Sequence, residues 1–267
     1  MESLAFHDPA WLTTFLHRIE PLADEWFPGL LLRCDEANHW SSGTTFRYLR
    51  QHSQQQERFG PRPHLIVVPA SILKSLAHLL LIPEERLLAT TYQSELVRLY
   101  GSLHPHEKLL STKFTFHLCP ACVAHTRLLK RTLLWPHLES CPLHHIELRK
   151  RCLYGVALWA FSGKALPFTC FACGLDWGSL PQRQISPDRV GREHHLSLLY
   201  EYFLVEGTPR RMERAADILR VHEKEKSMLS WNEHPDVIPY RKKFSLGYLV
   251  KRLVEAGISP HDFSPYW

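Results

Sequence analysis

No apolar run in this sequence is long enough to cross a bilayer, which takes about 20 residues in a helix. The longest such stretches, 76–82 and 153–161, are short or interrupted by polar side chains. A membrane-spanning role is therefore not expected. The first eleven residues carry Glu2 and Asp8 where a leader would be basic, and no long apolar region follows. Neither secretion nor organelle import is expected, and the chain is assigned to the cytoplasm. There is no internal repeat of solenoid period. Nor do strand and helix patterns alternate as they would for an α/β sheet.

What is present is a globular composition, with 45% apolar and 22% charged residues over 267 positions. That length exceeds the usual single-domain size and predicts two or three small modules. The net charge of +5, with 18 histidines in reserve below neutrality, suits a nucleic acid or an acidic protein partner without choosing between them. Seven cysteines in a chain with no secretion signal are better read as metal ligands or buried thiols than as disulfides, and an odd count agrees.

The class predicted is mainly α. At 25–38 the apolar Trp26, Phe27, Leu30, Leu31 and Cys34 fall at helical spacing, with Asp24 placed as N-cap. Two further helices are predicted at 71–81 and 83–92, with Pro83 in a first-turn position. This is a helix-turn-helix shape, which can read DNA and can equally fill a small helical core. All the cysteines but Cys34 lie in 111–177, among Pro, His and short apolar runs. After a linker at 181–187, helices are predicted at 193–205, 209–229 and 246–256, with Gly207 and Gly257 as stops. The resulting map is an N-terminal helical module at 18–110, a tandem zinc-finger or zinc-ribbon module at 111–178 and a C-terminal helical tail at 190–267. The tail carries Arg210, Arg211, Arg214, Arg220, Lys224 and Lys226, but interleaved acids make a solvated face the simpler reading.

Cys119-Pro120-Ala121-Cys122 is followed after eighteen residues by Cys141-Pro142-Leu143-His144. A two-residue gap lets both side chains of one tight turn face the same ion, and thiolate with imidazole is a donor set that suits Zn2+. Four protein donors leave no position for an activated water, so this first site is expected to be structural. A third knuckle, Cys170-Phe171-Ala172-Cys173, follows Cys152 by seventeen residues and suggests a second site. It is short of a ligand: Gly155 stands where Cys152 should have its partner. Either a fourth donor comes from elsewhere, or Cys152, Cys170 and Cys173 are thiols of a metal-free remnant.

The run from Cys119 through Cys141-Pro142-Leu143-His144, Leu148 and Cys152 to the closing knuckle resembles the zinc-finger core of the TniQ family. Arg18-Ile19-Glu20-Pro21-Leu22-Ala23-Asp24-Glu25, with Leu30, Leu31, Leu32 and Arg33, resembles that family's opening signature. The two matches span about residues 18–177; the tail does not align. Gly155, where the family usually has cysteine, and His145, where it often has glycine, are departures. The resemblance implies a non-catalytic adaptor, nucleoid-associated. It would link a target-recognition complex, in some elements a CRISPR effector with its guide RNA, to the AAA+ ATPase regulator of a Tn7-like transposon. The modest length favours the guide-dependent form over relatives that recognise an attachment site themselves.

Two rivals are weighed. A zinc-finger or helix-turn-helix protein that itself binds DNA would grip phosphate with Arg127, Lys130, Arg131, Arg149, Lys150 and Arg151, although these could equally be the solvated outside of a zinc module. A zinc nucleobase deaminase would use His145-Ile146-Glu147 with Cys170 and Cys173, but Thr169 stands where proline is expected and the first four ligands would be left without a purpose. Trp135, Trp159 and Trp177 are read as core before base-stacking platforms, and Cys34 as a small buried hydrophobe.

Overall fold

The computed structural model describes residues 14–52, 67–100, 117–135, 137–158, 163, 165–226 and 246–260. Trp159, the division at 110/111, the predicted helix end at 229 and the side chains of Arg220, Lys224 and Lys226 lie outside the described residues. Among the described residues the molecule is mainly helical, with no strand beyond isolated bridges. No helix there is long and apolar enough to cross a membrane.

Helix α1 (Phe27–Ala37) is buried along most of its length, from Phe27 through Leu32 and at Cys34 and Asp35, as expected of a helix whose first half is apolar on every side. Pro28 sits in its first turn, where a missing N–H costs nothing. Asp24 is not its cap. The helix starts after Trp26 with no side-chain cap, while Asp24 adopts a left-handed conformation and its carboxylate accepts from Thr132 N (3.2 Å) and Thr132 Oγ1 (2.6 Å). A tertiary partner 108 residues away has won over the local role.

Helix α2 (Thr44–His52) was not anticipated, because its cap comes from another element. Asp35 of α1, fully buried, accepts from Gly43 N (2.6 Å), Thr45 N (2.7 Å) and Thr45 Oγ1 (2.6 Å). These bonds supply the acceptor that the first N–H groups of a helix need. Burial pushes the Asp35 carboxyl up to about 6, the hydrogen bonds pulling the other way.

Helices α3 (Ala70–Leu80) and α4 (Glu84–Leu88) form the predicted pair, but the second stops at five residues. Thr90 and Thr91 turn their hydroxyls back onto the carbonyls of Leu87 and Leu88, a local bond that competes with helix continuation. Thr91 Oγ1 then accepts from Gln93 N, and a separate helix α5 (Gln93–Tyr100) begins.

The cysteine region contains α6 (Pro120–Thr126) and two 3-10 turns, Arg131–Leu134 and Trp177–Ser179. Gly178 lets the second turn lie on α6: a Cβ there would come within 2.8 Å of the Ala124 backbone. Helix α7 (Pro187–Glu206) begins six residues before the predicted start, with Pro187 in its first turn. The expected linker is tied down, Glu147 N donating to Arg183 O and Ile185 N to His145 O. Helices α8 (Pro209–Lys226) and α9 (Leu246–Glu255) follow, with Gly207 capping α7 and Gly257 in a left-handed turn after α9.

Buried side chains gather in three cores. One joins α1 to α4 through Phe27, Leu31, Phe46, Ile72 and Leu76. A second joins Leu32 of α1 to Leu118, Val123, Phe168 and Trp177 around Cys152 and Cys170. The third gathers Cys119, Cys122 and Cys141 with Tyr92, Trp135, Tyr200, Phe203 and Leu249, so α5 and the three C-terminal helices pack on the first cysteine cluster.

Candidate metal centre

Cys119 precedes α6 as its N-cap, and its Sγ accepts from Cys122 N at 3.5 Å. A helix N-terminus is a favourable place for a thiolate. Cys141 and His144 come from a hairpin closed by Cys141 N to Ile146 O (2.8 Å) and His145 N to Cys141 O (2.8 Å), with a bridge between Ser140 and Glu147. The hairpin aims His144 Nδ1 at three sulfurs: 3.4 Å from Cys119, 3.4 Å from Cys122 and 3.5 Å from Cys141. Cys122 and Cys141 Sγ are 3.8 Å apart.

These separations test the fit of an ion. Tetrahedral zinc with Zn–S of about 2.3 Å and Zn–N of about 2.0 Å requires S to S near 3.8 Å and S to N about 3.5 Å. The four donors could therefore hold zinc without rearrangement. The thiols of Cys119 and Cys122 hydrogen-bond to Cys141 and hold it well below the ordinary thiol value.

Side chains that sequence reasoning missed hold this site in place. Glu193 of α7, buried, accepts from Ser140 N (3.1 Å) and from Ser140 Oγ, beside Cys141, and pairs with Arg189 at 3.0 Å. Arg189 also pairs with Glu139. Tyr92 Oη donates to Arg131 O (2.8 Å) and accepts from Trp135 Nε1 (2.9 Å). No local pattern marks Glu193 or Tyr92, since their partners lie 53 and 39 residues away.

Cys152, Cys170 and Cys173 also converge, with their sulfurs within 4.8 Å of one another. The Cys170 hairpin repeats the Cys141 one: Cys170 N donates to Leu175 O, Gly174 N to Cys170 O, and Thr169 bridges Asp176. In each, the ligand position is the third residue after the first cysteine. A left-handed residue follows as the fourth, His145 (φ 52°) or Gly174 (φ 69°). The Cys152 hairpin closes sooner, with Cys152 N donating to Val156 O, Gly155 N to Cys152 O, and Arg151 bridging Ala157. Its left-handed residue is Gly155 (φ 74°), already the third after the cysteine. Gly155 therefore does the work of Gly174. It is not a ligand position refilled by glycine, as the spacing suggested; the hairpin is one residue short, and the residue missing is the one that would carry the ligand. Burial works against a thiolate at Cys152, but N–H groups of Tyr154 and Val156 and the neighbouring thiols hold it below its ordinary value.

The six basic residues named from sequence divide. Arg127 pairs with Asp176 (2.7 Å) and Glu36 (3.1 Å) and lies over the Phe168 ring. Arg131 pairs with Glu95 (2.8 Å) and lies over Tyr92. Arg149 donates to Pro181 O and Arg151 to Gly155 O. Lys130 is half-buried, with its backbone bridged to Glu25, and Lys150 is exposed.

The deaminase arrangement is not assembled among the described residues: Cys170 and Cys173 meet Cys152, and neither metal-capable group includes His145 or Glu147. Trp135, Trp177 and Cys34 are buried, as read from sequence. The family model that matches this chain is TniQ, over residues 16–148. That span runs from before α1 through both halves of the first cluster and stops short of the second. No curated protein matches the chain in sequence.

Proposed function

Because residues 16–148 place this chain in the TniQ family, we propose that it is a non-catalytic targeting adaptor of a Tn7-like transposon. It holds a target-recognition complex, a CRISPR effector with its guide RNA, and presents it to the AAA+ ATPase that calls the transposase. The observation that carries this reading is the family match, which contains α1 to α6 and all four donors of the first cluster. In this reading Cys119, Cys122, Cys141 and His144 bind one zinc ion that fastens the two halves of the domain. Its chemistry is structural, because four protein donors exclude a bound water.

In this reading the two partners meet different surfaces of the chain. The tail cannot simply be deleted to test this, since Leu199, Tyr200 and Phe203 of α7 lie in the core around the first cluster. Co-purification of the full chain with the ATPase and the recognition complex is the measurement. A ternary complex is expected, and competition of the two partners for one surface overturns the adaptor reading.

The exposed Lys150 and Arg151 favour a second reading, in which the protein itself grips DNA. Phosphate contacts weaken steeply as salt rises. Binding to random duplex that falls with salt and is lost in Lys150→Glu with Arg151→Glu would support the DNA reader.

A further inference from the structure

The second cluster is not a failed copy of the first. We propose that Cys152, Cys170 and Cys173 bind a divalent metal ion of the zinc class through three thiolates and leave its fourth position open to an exogenous thiolate. This does not depend on the transposition reading.

Three observations carry it. The sulfurs are within 4.8 Å of one another, and among the described residues no further Cys, His, Asp or Glu joins them. The deficit is confined to one place, because the Cys152 hairpin keeps its closing hydrogen bonds and its left-handed glycine and lacks only the ligand-bearing residue between Tyr154 and Gly155. The hairpin tip at that place faces solvent, with Leu153, Tyr154 and Gly155 all exposed. By contrast, Cys152 and Cys170 are buried in a well-formed core with Phe168 and Trp177. The site is thus built on its inner side and open on its outer side.

A tetrahedral ion held by three protein donors keeps water in the fourth position, and a soft thiolate displaces it. In that exchange one metal–sulfur bond forms, one metal–water bond breaks, and the incoming thiol gives its proton to solvent. Nothing is oxidised or reduced. The thiolate must come from another molecule, since Cys34 is fully buried and the other cysteines already belong to the two clusters. Leu153, Tyr154 and Phe171, at the tips of the hairpins that carry Cys152 and Cys170, are all at least half exposed.

The test uses the full chain purified without oxygen or thiols and loaded with cobalt, whose visible bands report its ligands. Two ions per chain are expected, one for each cluster. Titration with 2-mercaptoethanol should shift the bands of one ion only, and Cys173→Ser should remove the responding bands. A blocked cysteine tripeptide, titrated alongside, identifies the source. Binding at least ten-fold tighter than 2-mercaptoethanol, weakened by Tyr154→Ser, assigns the position to a protein cysteine; equal binding assigns it to a small thiol.

Inserting a cysteine between Tyr154 and Gly155 should close the site, keeping two ions and abolishing the shift. Gly155→Cys should not close it, because it spends the turn residue. One ion per chain, or two whose bands ignore thiol in the natural sequence, overturns the proposal even if the insertion variant does not fold.

Discussion

Two cysteine clusters in one chain draw on three hairpins built alike, one in the first cluster beside the start of α6 and two in the second, and one of the three is a single residue short. At Cys141 and Cys170 the turn leaves room for a ligand before the left-handed residue; at Cys152 it does not. The clusters also differ in what rests on them. The four-donor cluster belongs to the core that gathers α5, α7, α8 and α9, whereas the three-donor cluster shares a smaller core with Leu32 of α1. A metal site therefore has two independent attributes, how many donors it closes and how much of the fold is packed upon it.

Cys141→Ser against Cys170→Ser breaks the comparison most directly. Binding of a structural zinc ion contributes on the order of 10 kcal/mol to the folding of small zinc modules. Cys141→Ser should accordingly lose one zinc, unpack the C-terminal helices and leave the chain aggregating. Cys170→Ser should lose metal from the other cluster and keep most of the helical signal. Metal content with circular dichroism reads both, and equal damage from the two would show that the cores are not separable.

Acid should separate the two cysteine clusters from α1 and α2. Protons compete with metal for thiolate and imidazole, so lowering the pH weakens both clusters. Asp35 works in the opposite sense. Its carboxyl is raised by burial from 3.8 to about 6, so the folded state binds its proton more tightly than the unfolded chain. That contribution is fully present below about pH 4 and is lost as pH rises through about 6, at most roughly 3 kcal/mol. Denaturation of the natural chain and Asp35→Asn between pH 4 and 7 should show the natural chain losing its relative advantage as pH rises. A constant difference would mean that Asp35 titrates alike in both states.

Glu193→Gln sharpens the contrast at the level of support. It weakens the acceptor for Ser140 N and Oγ beside Cys141 and removes the charge facing Arg189. Loss of such a buried charged acceptor costs about 1–3 kcal/mol, and groups that orient metal ligands are worth roughly 10–100-fold in metal affinity. Zinc competition with a chelator should show the loss at the first cluster and none at the second.

The smallest effect is expected at His145. It occupies with a side chain the left-handed position that glycine holds at Gly155 and Gly174. His145→Gly relieves that strain at some cost in unfolded-chain entropy and should stabilise by up to about 1 kcal/mol, read as a small rise in Tm. A fall in Tm would show that the His145 side chain makes a contact worth more than the strain.

The legible features were those whose cause lies within a few residues. Spacing selected the paired donors of both clusters, because two donors separated by two residues face one point whatever surrounds them; Cys152, without such a partner, was joined to them by its place seventeen residues before the Cys170 knuckle. Helical periodicity likewise placed α1, α3, α8 and α9 to within a few residues. Helices α2 and α5 were not legible, one capped by Asp35 from another helix and the other set off by hydroxyls that end its predecessor.

The sequence by itself pointed to six of the seven cysteines, with His144, as candidate donors of one four-membered and one three-membered group, since ligand type and spacing are local properties of the chain. Only the tertiary structure decided that Asp24 serves Thr132 and not α1, and that Glu193 reaches back to Ser140. The reason is that a buried carboxylate is satisfied by whatever packing brings near. A partner 53 or 108 residues away leaves no trace in the spacing of its neighbours.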